Sequence, residues 1–171
     1  MKLALMKKLK YFNFSPIWLV LFSVNIYSLS ACNMFYDFHK SQSKKAIEIF
    51  SKAIEKDPKS AYNYDGLGYA YSSLAIYEKE QFAKAIENYS KAIELDPKYS
   101  EAYRHRADAY VEIREYQKAI NDCSKAIALN PRDASAYHIR SKGYTGIGED
   151  DLAEKDEKEF WRLAKNSQKP K

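Results

Sequence analysis

The sequence lacks the short motifs that identify many enzymes. It contains no nucleophile elbow, no glycine-rich loop that could cradle a phosphate and no His-Glu-x-x-His pair. Glycine and proline are scarce, with five of each among 171 residues. No cofactor or metal ion is therefore expected on the grounds of a motif.

The chain also lacks the net charge that would draw it to nucleic acid. The formal charge is +5, from 28 basic and 23 acidic residues. Residues 1–31 hold four of the basic residues (Lys2, Lys7, Lys8 and Lys10) and no acid, which leaves 24 basic against 23 acidic residues in the remainder. A nearly neutral remainder does not favour phosphate backbones, so no nucleic acid partner is expected.

Only two cysteines are present, and they stand in different contexts. Cys123 falls in a helical pattern where a small apolar residue is expected, so we interpret it as a buried small hydrophobe. The two cysteines could form one disulfide, but the residues around Cys32 indicate that its thiol is modified in another way.

The apolar N-terminal run is short for a membrane span. It covers residues 17–29, about 13 residues, and contains Asn25, whereas a spanning helix needs roughly 20. Lysines precede it and small residues follow it, which is the order of regions in a secretory signal. Met6, followed by two lysines, is an alternative start to Met1.

The run closes on Leu29-Ser30-Ala31-Cys32. This box resembles the lipobox of bacterial lipoproteins. The resemblance implies a signal peptide over 1–31, cleavage before Cys32 and acylation of Cys32, with palmitate among the chains, and a tether over 32–42. It places the protein at a bacterial envelope membrane, and Asn33, which is not the aspartate of inner-membrane retention, favours the outer membrane.

A repeat dominates the rest of the chain. Nearly identical runs end in Asp57-Pro58, Asp96-Pro97 and Asn130-Pro131, and the first interval between these pairs is slightly longer than the second. Between these prolines, Tyr103, Ala107 and Tyr110 mark one helix, and residues 116–127 mark another. Self-similarity at a period of about 34 residues predicts stacked helix pairs rather than a globular enzyme core.

This pattern resembles the tetratricopeptide repeat family. The family has small residues at repeat positions 8, 20 and 27, matched here by Gly68, Ala85 and Ala92 in the first full unit and by Ala107, Ala119 and Ala126 in the second. The resemblance implies an all-α, right-handed solenoid of antiparallel helix pairs. About three and a half repeats are expected over 43–165, namely a half repeat at 43–58 and full units at 61–97, 100–131 and 134–165, followed by a tail at 166–171.

Several departures from the family pattern stand out. Five extra residues, placed at 76–80, either lengthen the first helix of their unit or make a longer hairpin turn. Arg106 and Arg140 replace a leucine. In the last unit Glu157 stands where an aromatic belongs and Phe160 where alanine belongs, and many neighbouring residues are charged, so this helix is predicted to be a solubilising cap.

The resemblance also implies a binding groove lined by the first helices. The residues expected to face a partner are Tyr62, Asp65, Tyr69, Ser72, Glu101, Arg104, Asp108, His138 and Lys142. Aromatic rings give contact area at low entropic cost and suit an extended peptide or a partner helix. One subfamily clamps the C-terminal carboxylate of chaperones, but its positions hold Asp65, Tyr69, His105, Ser135 and Ile139 here, so that clamp is absent.

The expected function is non-catalytic protein binding by a lipid-anchored scaffold or adaptor. Two alternatives stay open. His105 and His138 lie in adjacent first helices, and would serve a metal- or His-dependent enzyme or a ligand carrier. The second alternative is a self-associating structural lipoprotein.

Overall fold

The computed structural model describes the backbone of residues 16–167 and the side chains of residues 36–166. Two compact units divide the chain, residues 1–41 and residues 42–171. The predicted all-α fold is confirmed over the described range. Its seven helices are α1 (Pro16–Lys56), α2 (Ala61–Ala75), α3 (Gln81–Leu95), α4 (Ser100–Glu112), α5 (Tyr116–Leu129), α6 (Ala134–Ile147) and α7 (Asp150–Ser167).

Helix α1 is longer than the sequence pattern predicted. It has 41 residues and includes both the expected tether, 32–42, and the expected half-repeat helix, which ends with it at Lys56. No glycine or proline occurs between Pro16 and Pro58, so no residue in between interrupts the hydrogen-bonded ladder. Residues 1–15 of the predicted signal peptide and the Cys32 side chain lie outside the described part.

Within the residues that the structure describes, no helix combines the length and the apolar character needed to cross a membrane. At the other end, α7 includes Asn166 and Ser167 of the predicted tail. Residues 168–171 fall outside the described range.

The repeated Asp-Pro or Asn-Pro pairs end each second helix in the same way. The Asp96 N–H donates to the Ala92 carbonyl oxygen at 2.9 Å, and the Asp96 carbonyl oxygen accepts from the Tyr99 N–H at 3.1 Å. Its side-chain Oδ1 accepts from the Lys98 N–H at 2.9 Å. Asp57 and Asn130 make the same side-chain contact, each at 3.2 Å. Only a short side chain with an acceptor oxygen can accept from the backbone N–H two residues later, which explains the Asp or Asn at this position.

Consecutive helices from α2 to α7 pack against one another, and so do the first helices of successive units. The backbone of α2 approaches that of α4, and α4 that of α6, whereas no Cα atoms of α3 and α5, or of α5 and α7, lie within 8 Å of each other in the described part of the chain. The first helices therefore lie closer together than the second helices do. They line the inner face of the stack in residues 61–167.

The small residues of the repeat lie where helices meet. Ala85, Ala92, Ala107, Ala119 and Ala126 have no exposed surface. Cys123 is likewise fully buried and is a free thiol, as expected. Burial in apolar surroundings raises the pKa of the Cys123 thiol, which keeps it protonated and unreactive.

The two arginines that replace leucine form matching ion-pair networks. Arg106 on α4 donates from Nε and Nη2 to the two carboxylate oxygens of Asp122 on α5, at 2.7 and 2.8 Å. Its Nη1 donates to Ser90 Oγ on α3 at 2.9 Å. The rings of Tyr103 and Tyr110 lie 5.9 Å from the guanidinium carbon. One side chain thus joins three helices of two successive units.

Arg140 repeats this arrangement one unit later. It donates to Asp156 on α7 at 2.7 and 2.9 Å and to Ser124 on α5 at 3.1 Å. The first full unit has Leu67 at the arginine position and Asn88 at the aspartate position. The two residues of the pair therefore change together, as a buried charge pair requires.

The three helix hairpins differ in length. Residues 76–80 separate α2 from α3, whereas residues 113–115 and 148–149 form the later two hairpins. The five extra residues thus make a longer turn and also lengthen the first helix, since α2 has 15 residues against 13 in α4 and 14 in α6. In the shorter hairpins Arg114 (φ 64°) and Gly148 (φ 81°) occupy equivalent left-handed positions. Each is the left-handed residue of a Schellman motif, in which its own N–H and that of the following residue donate to carbonyl oxygens of the preceding helical turn.

Helix α7 ends the stack with a charged face. On α5, Tyr116 and Ile120 lie against Gly146 and Gly143 of α6. The equivalent α7 positions, one repeat later, carry Asp150 and Glu154, which are exposed. These charged residues occupy the surface that would receive another first helix, and the solubilising cap stays a prediction for this surface.

Candidate functional site

The inner face exposes only some of the residues that were expected to bind a partner. Tyr62 and Tyr69 are the exposed aromatics among them, with 66% and 59% of their surface exposed. Glu101, Asp108 and Lys142 are also exposed. Ser72 is half-buried and accepts a hydrogen bond from the Tyr89 hydroxyl at 3.3 Å.

Asp65, by contrast, is buried in contacts between the first two full units. Its Oδ1 lies 2.8 Å from His105 Nδ1, and its Oδ2 accepts from the Tyr99 hydroxyl at 3.3 Å. The rings of Tyr69 and Tyr89 also contact the His105 ring at tilted angles, with centroids 5.7 and 5.6 Å away. Asp65 therefore joins α2 to α4 and is not accessible to a partner.

Arg104, which was expected to bind a partner, also has partners within the chain. Its Nε lies 3.0 Å from an Asp133 carboxylate oxygen, and its Nη2 lies 3.1 Å from His105 Nε2. Asp133 is the N-cap of α6 and accepts from the Ala136 N–H at 3.3 Å. Since Arg104 joins α4 to the start of α6, its loss would disturb the stack as well as the surface.

His138 is held by the unusual glutamate of the last unit. Glu157 Oε1 lies 2.8 Å from His138 Nδ1 and accepts from Ser141 Oγ, also at 2.8 Å. Partial burial raises the pKa of Glu157, but the hydrogen bonds from Ser141 and His138 together outweigh it, so the net shift is downward. These bonds explain why a carboxylate occupies the position of an aromatic.

The two histidines of the alternative interpretation do not share a site. His105 contacts Asp65, and His138 contacts Glu157. Across the described residues, no group of three or more His, Cys, Asp or Glu side chains converges as a metal site. The Ser141 hydroxyl lies 2.8 Å from both the His138 backbone carbonyl oxygen and Glu157 Oε1, and its one proton can be donated to either of these acceptors.

An open cleft of about 570 Å³ lies on this face between α2, the 76–80 hairpin and α4. The predicted residues Tyr69, Ser72 and Asp108 line it. Residues that the repeat pattern did not single out complete the lining, including Ile76, Lys79, Phe82, Glu112 and Ile113. The only sequence signal for them was the five-residue insertion, which adds Ile76 and Lys79 to the rim.

Comparisons with known proteins agree with this architecture. A family model described as TPR repeat matches residues 74–113, and one described as Tetratricopeptide repeat matches residues 100–133. No curated protein matches the sequence.

Several solved structures are similar over most of the chain. Two crystal structures of MamA are 29% and 31% identical and cover 73% of this chain, each with a TM-score of 0.62. The chain spans 66% and 70% of the length of those two MamA chains. The first TPR of Spaghetti (RPAP3), solved with the HSP90 peptide SRMEEVD, is 26% identical, covers 64% of this chain and 83% of its own, and has a TM-score of 0.57.

Proposed function

Because the chain belongs to the tetratricopeptide repeat family, whose members are generally scaffolds for protein interactions, we propose that it binds a protein partner without catalysis. The partner would be an extended peptide or a helix held on the inner face. The observation that carries this proposal is the exposure of Tyr62 and Tyr69 on the face lined by the first helices. Large exposed aromatic rings on a concave, mixed-charge surface are typical of binding hot spots.

A solved neighbour supports the mode of binding but not the same ligand. The RPAP3 domain holds a peptide that ends in Glu-Glu-Val-Asp. In this chain, two of the positions that would clamp such a peptide hold Asp65 and His105, which bind each other. We therefore expect a partner of different chemistry.

Affinity capture from host envelopes tests the groove. The full chain, in detergent, is compared with Tyr62→Ala and Tyr69→Ala variants, which remove exposed rings. Capture of the native partner should weaken in both, while helicity by circular dichroism stays unchanged. Ile49→Ser is the matched control, because Ile49 is 64% exposed on α1 and does not lie on the first helices. Equal capture by all four proteins would refute binding at this face.

We also propose that the protein is held at a bacterial envelope membrane by lipid on Cys32. The order of lysines, apolar run and Leu29-Ser30-Ala31-Cys32 supports this anchor. More than one acyl chain is needed for stable attachment, since each buried methylene contributes about 0.8 kcal/mol. The outer membrane is the favoured location.

Metabolic labelling with a fatty acid tests the anchor. Cys32→Ser should abolish the label and block processing, whereas Cys123→Ser should keep both, because Cys123 is buried among helices. Processing of the parent should also be sensitive to an inhibitor of lipoprotein signal peptidase. Label retained in Cys32→Ser would exclude Cys32 as the site of the lipid but would leave the binding proposal standing.

A further inference from the structure

We propose that the cleft between α2, the 76–80 hairpin and α4 receives an aliphatic side chain of a basic peptide segment. This inference deepens the proposed function and rests on it. It names the chemistry of the partner, namely an aliphatic residue with lysine or arginine close to it in sequence.

The walls of the cleft are apolar and open to solvent. Ile76 is 74% exposed and Ile113 is 42% exposed, and both line the cleft. Below them, Ala75, Phe82 and Ala109 pack in the core at 9% exposure or less. Burying an aliphatic side chain here would remove apolar surface from water on both partners, which favours binding.

The cleft exists because the first hairpin is longer than the others. Residues 76–80 supply both Ile76 and Lys79 to its rim. The later hairpins have only residues 113–115 and 148–149 and cannot extend a wall in the same way. The insertion therefore changes the surface of this unit but not its core. Ala85 and Ala92 are fully buried, like the equivalent alanines of the next unit.

The charges at the cleft favour a cationic partner. Asp108 and Glu112 lie one turn apart on α4, both exposed, and no hydrogen bond or ion pair engages either carboxylate within the described residues. Lys79 is the single cation among the lining residues. Two carboxylates against one ammonium group repel an acidic peptide and attract lysine or arginine.

A selection experiment defines the preferred peptide segment directly. Random dodecapeptides displayed on phage are selected on the immobilised full chain in detergent, and the consensus peptide is then measured by fluorescence anisotropy. The recovered peptides should carry an aliphatic residue within four positions of lysine or arginine, and few acids. Their affinity should fall as salt rises, because exposed charge pairs are screened.

Matched variants locate the binding. Ile76→Ser should weaken the consensus peptide by about tenfold or more, and Asp108→Asn with Glu112→Gln by about fivefold. Ile49→Ser is the control for an exposed isoleucine elsewhere. Glu87→Gln with Asp151→Asn removes two exposed carboxylates from second helices and should leave the affinity unchanged.

The remaining outcomes overturn the inference. An acidic consensus, or equal binding by Ile76→Ser, excludes the cleft. If Tyr62→Ala alone abolishes binding, the inner face still binds peptide and only the cleft assignment fails. If no peptide is recovered, or no inner-face variant matters, the proposed function fails as well. A dimer in sedimentation that Ile76→Ser converts to a monomer would make a second copy the occupant, contrary to the proposal.

Discussion

At the scale of single residues, Arg106 and Arg140 carry polar contacts through the interior of the stack. A buried ion pair gains from its mutual attraction but loses hydration, so its net contribution is small while both partners are present. Removing one partner leaves an unpaired buried charge, which is costly. Asp122 is 8% exposed and Asp156 is 4% exposed, so neither carboxylate can recover its hydration in place.

Replacing Arg106 tests this asymmetry. Arg106→Leu alone should lower the free energy of unfolding by about 3 kcal/mol, because Asp122 loses its bidentate partner. Arg106→Leu with Asp122→Asn reproduces the natural Leu67 and Asn88 of the preceding unit, and should return to within about 1 kcal/mol of the parent. Urea denaturation measures both. A double variant no more stable than the single one would contradict the pairing.

Arg114 is a second residue for which the effect of a substitution on stability can be predicted. It holds a left-handed backbone conformation without being glycine, which costs about 1–2 kcal/mol. Arg114→Gly should therefore raise the stability by about 0.5–1 kcal/mol, after allowing for the greater freedom of glycine in the unfolded chain. The reciprocal change, Gly148→Ala, should lower it by about as much. Thermal unfolding of the two variants should shift in opposite directions.

The sequence predicted some of these residues and missed others for a physical reason. Periodicity identifies positions such as Ala119 and Cys123, because a buried small residue must recur with the helix. It does not reveal that Arg106, Asp122 and Ser90 meet, since they lie far apart in sequence on three helices. The signal was nevertheless present, because Arg140, Asp156 and Ser124 repeat the set at the same positions of the next unit.

At the scale of the helix, close packing depends on small side chains at the crossing points. Ala119 on α5 is fully buried and belongs to the cluster with Ala107, Cys123 and Ile139. Ala119→Glu must force a larger, charged side chain into this contact, at a cost of about 3 kcal/mol or more. The melting temperature should fall markedly. Glu154→Ala on the exposed face of α7 should change it little, and similar melting of both variants would refute the repeat register.

Helix ends and turns were harder to predict than helix cores. The insertion was placed at 76–80, but its form depends on backbone hydrogen bonds such as those of the Tyr77 and Glu78 N–H groups to the Leu74 carbonyl oxygen. These bonds carry no sequence periodicity. The start of α1 was likewise missed, because the signal-peptide pattern predicts where these residues direct the protein and does not predict their backbone conformation.

The groove itself was predicted only in outline. Position in the repeat placed Asp65, Arg104 and His138 on the inner face, but each of them forms contacts within the chain. Whether a polar side chain on such a face is free depends on the residue opposite it in the next unit. The repeat pattern alone does not contain that information.

At the scale of the whole stack, the charged face of α7 is predicted to disfavour packing of a further first helix against it. Asp150, Glu154 and Lys158 occupy the positions held on α5 by Tyr116, Ile120 and Ser124, and Glu154 pairs with Lys158 at 2.6 Å. The triple variant Asp150→Tyr, Glu154→Ile and Lys158→Ser should expose a surface made for a first helix. Such open ends self-associate. Sedimentation velocity should show concentration-dependent association, and a monodisperse triple variant would refute the cap.

The Ser–Arg–Asp chain of contacts also bears on how such a gene can grow. The middle unit alone has both residues, with Arg106 bonded to Ser90 of the preceding unit and Ser124 bonded to Arg140 of the following one. A tandem duplication of codons 100–133 would therefore join to both neighbours through the same hydrogen bonds. Of the polar contacts described between units, only those made to Asp65 would have no counterpart at the new junction, since Arg104 stands at the equivalent position. Duplication of the longer preceding unit would instead place Leu67 opposite Ser90 and lose the arginine contact. The interior of the stack thus favours lengthening from its middle.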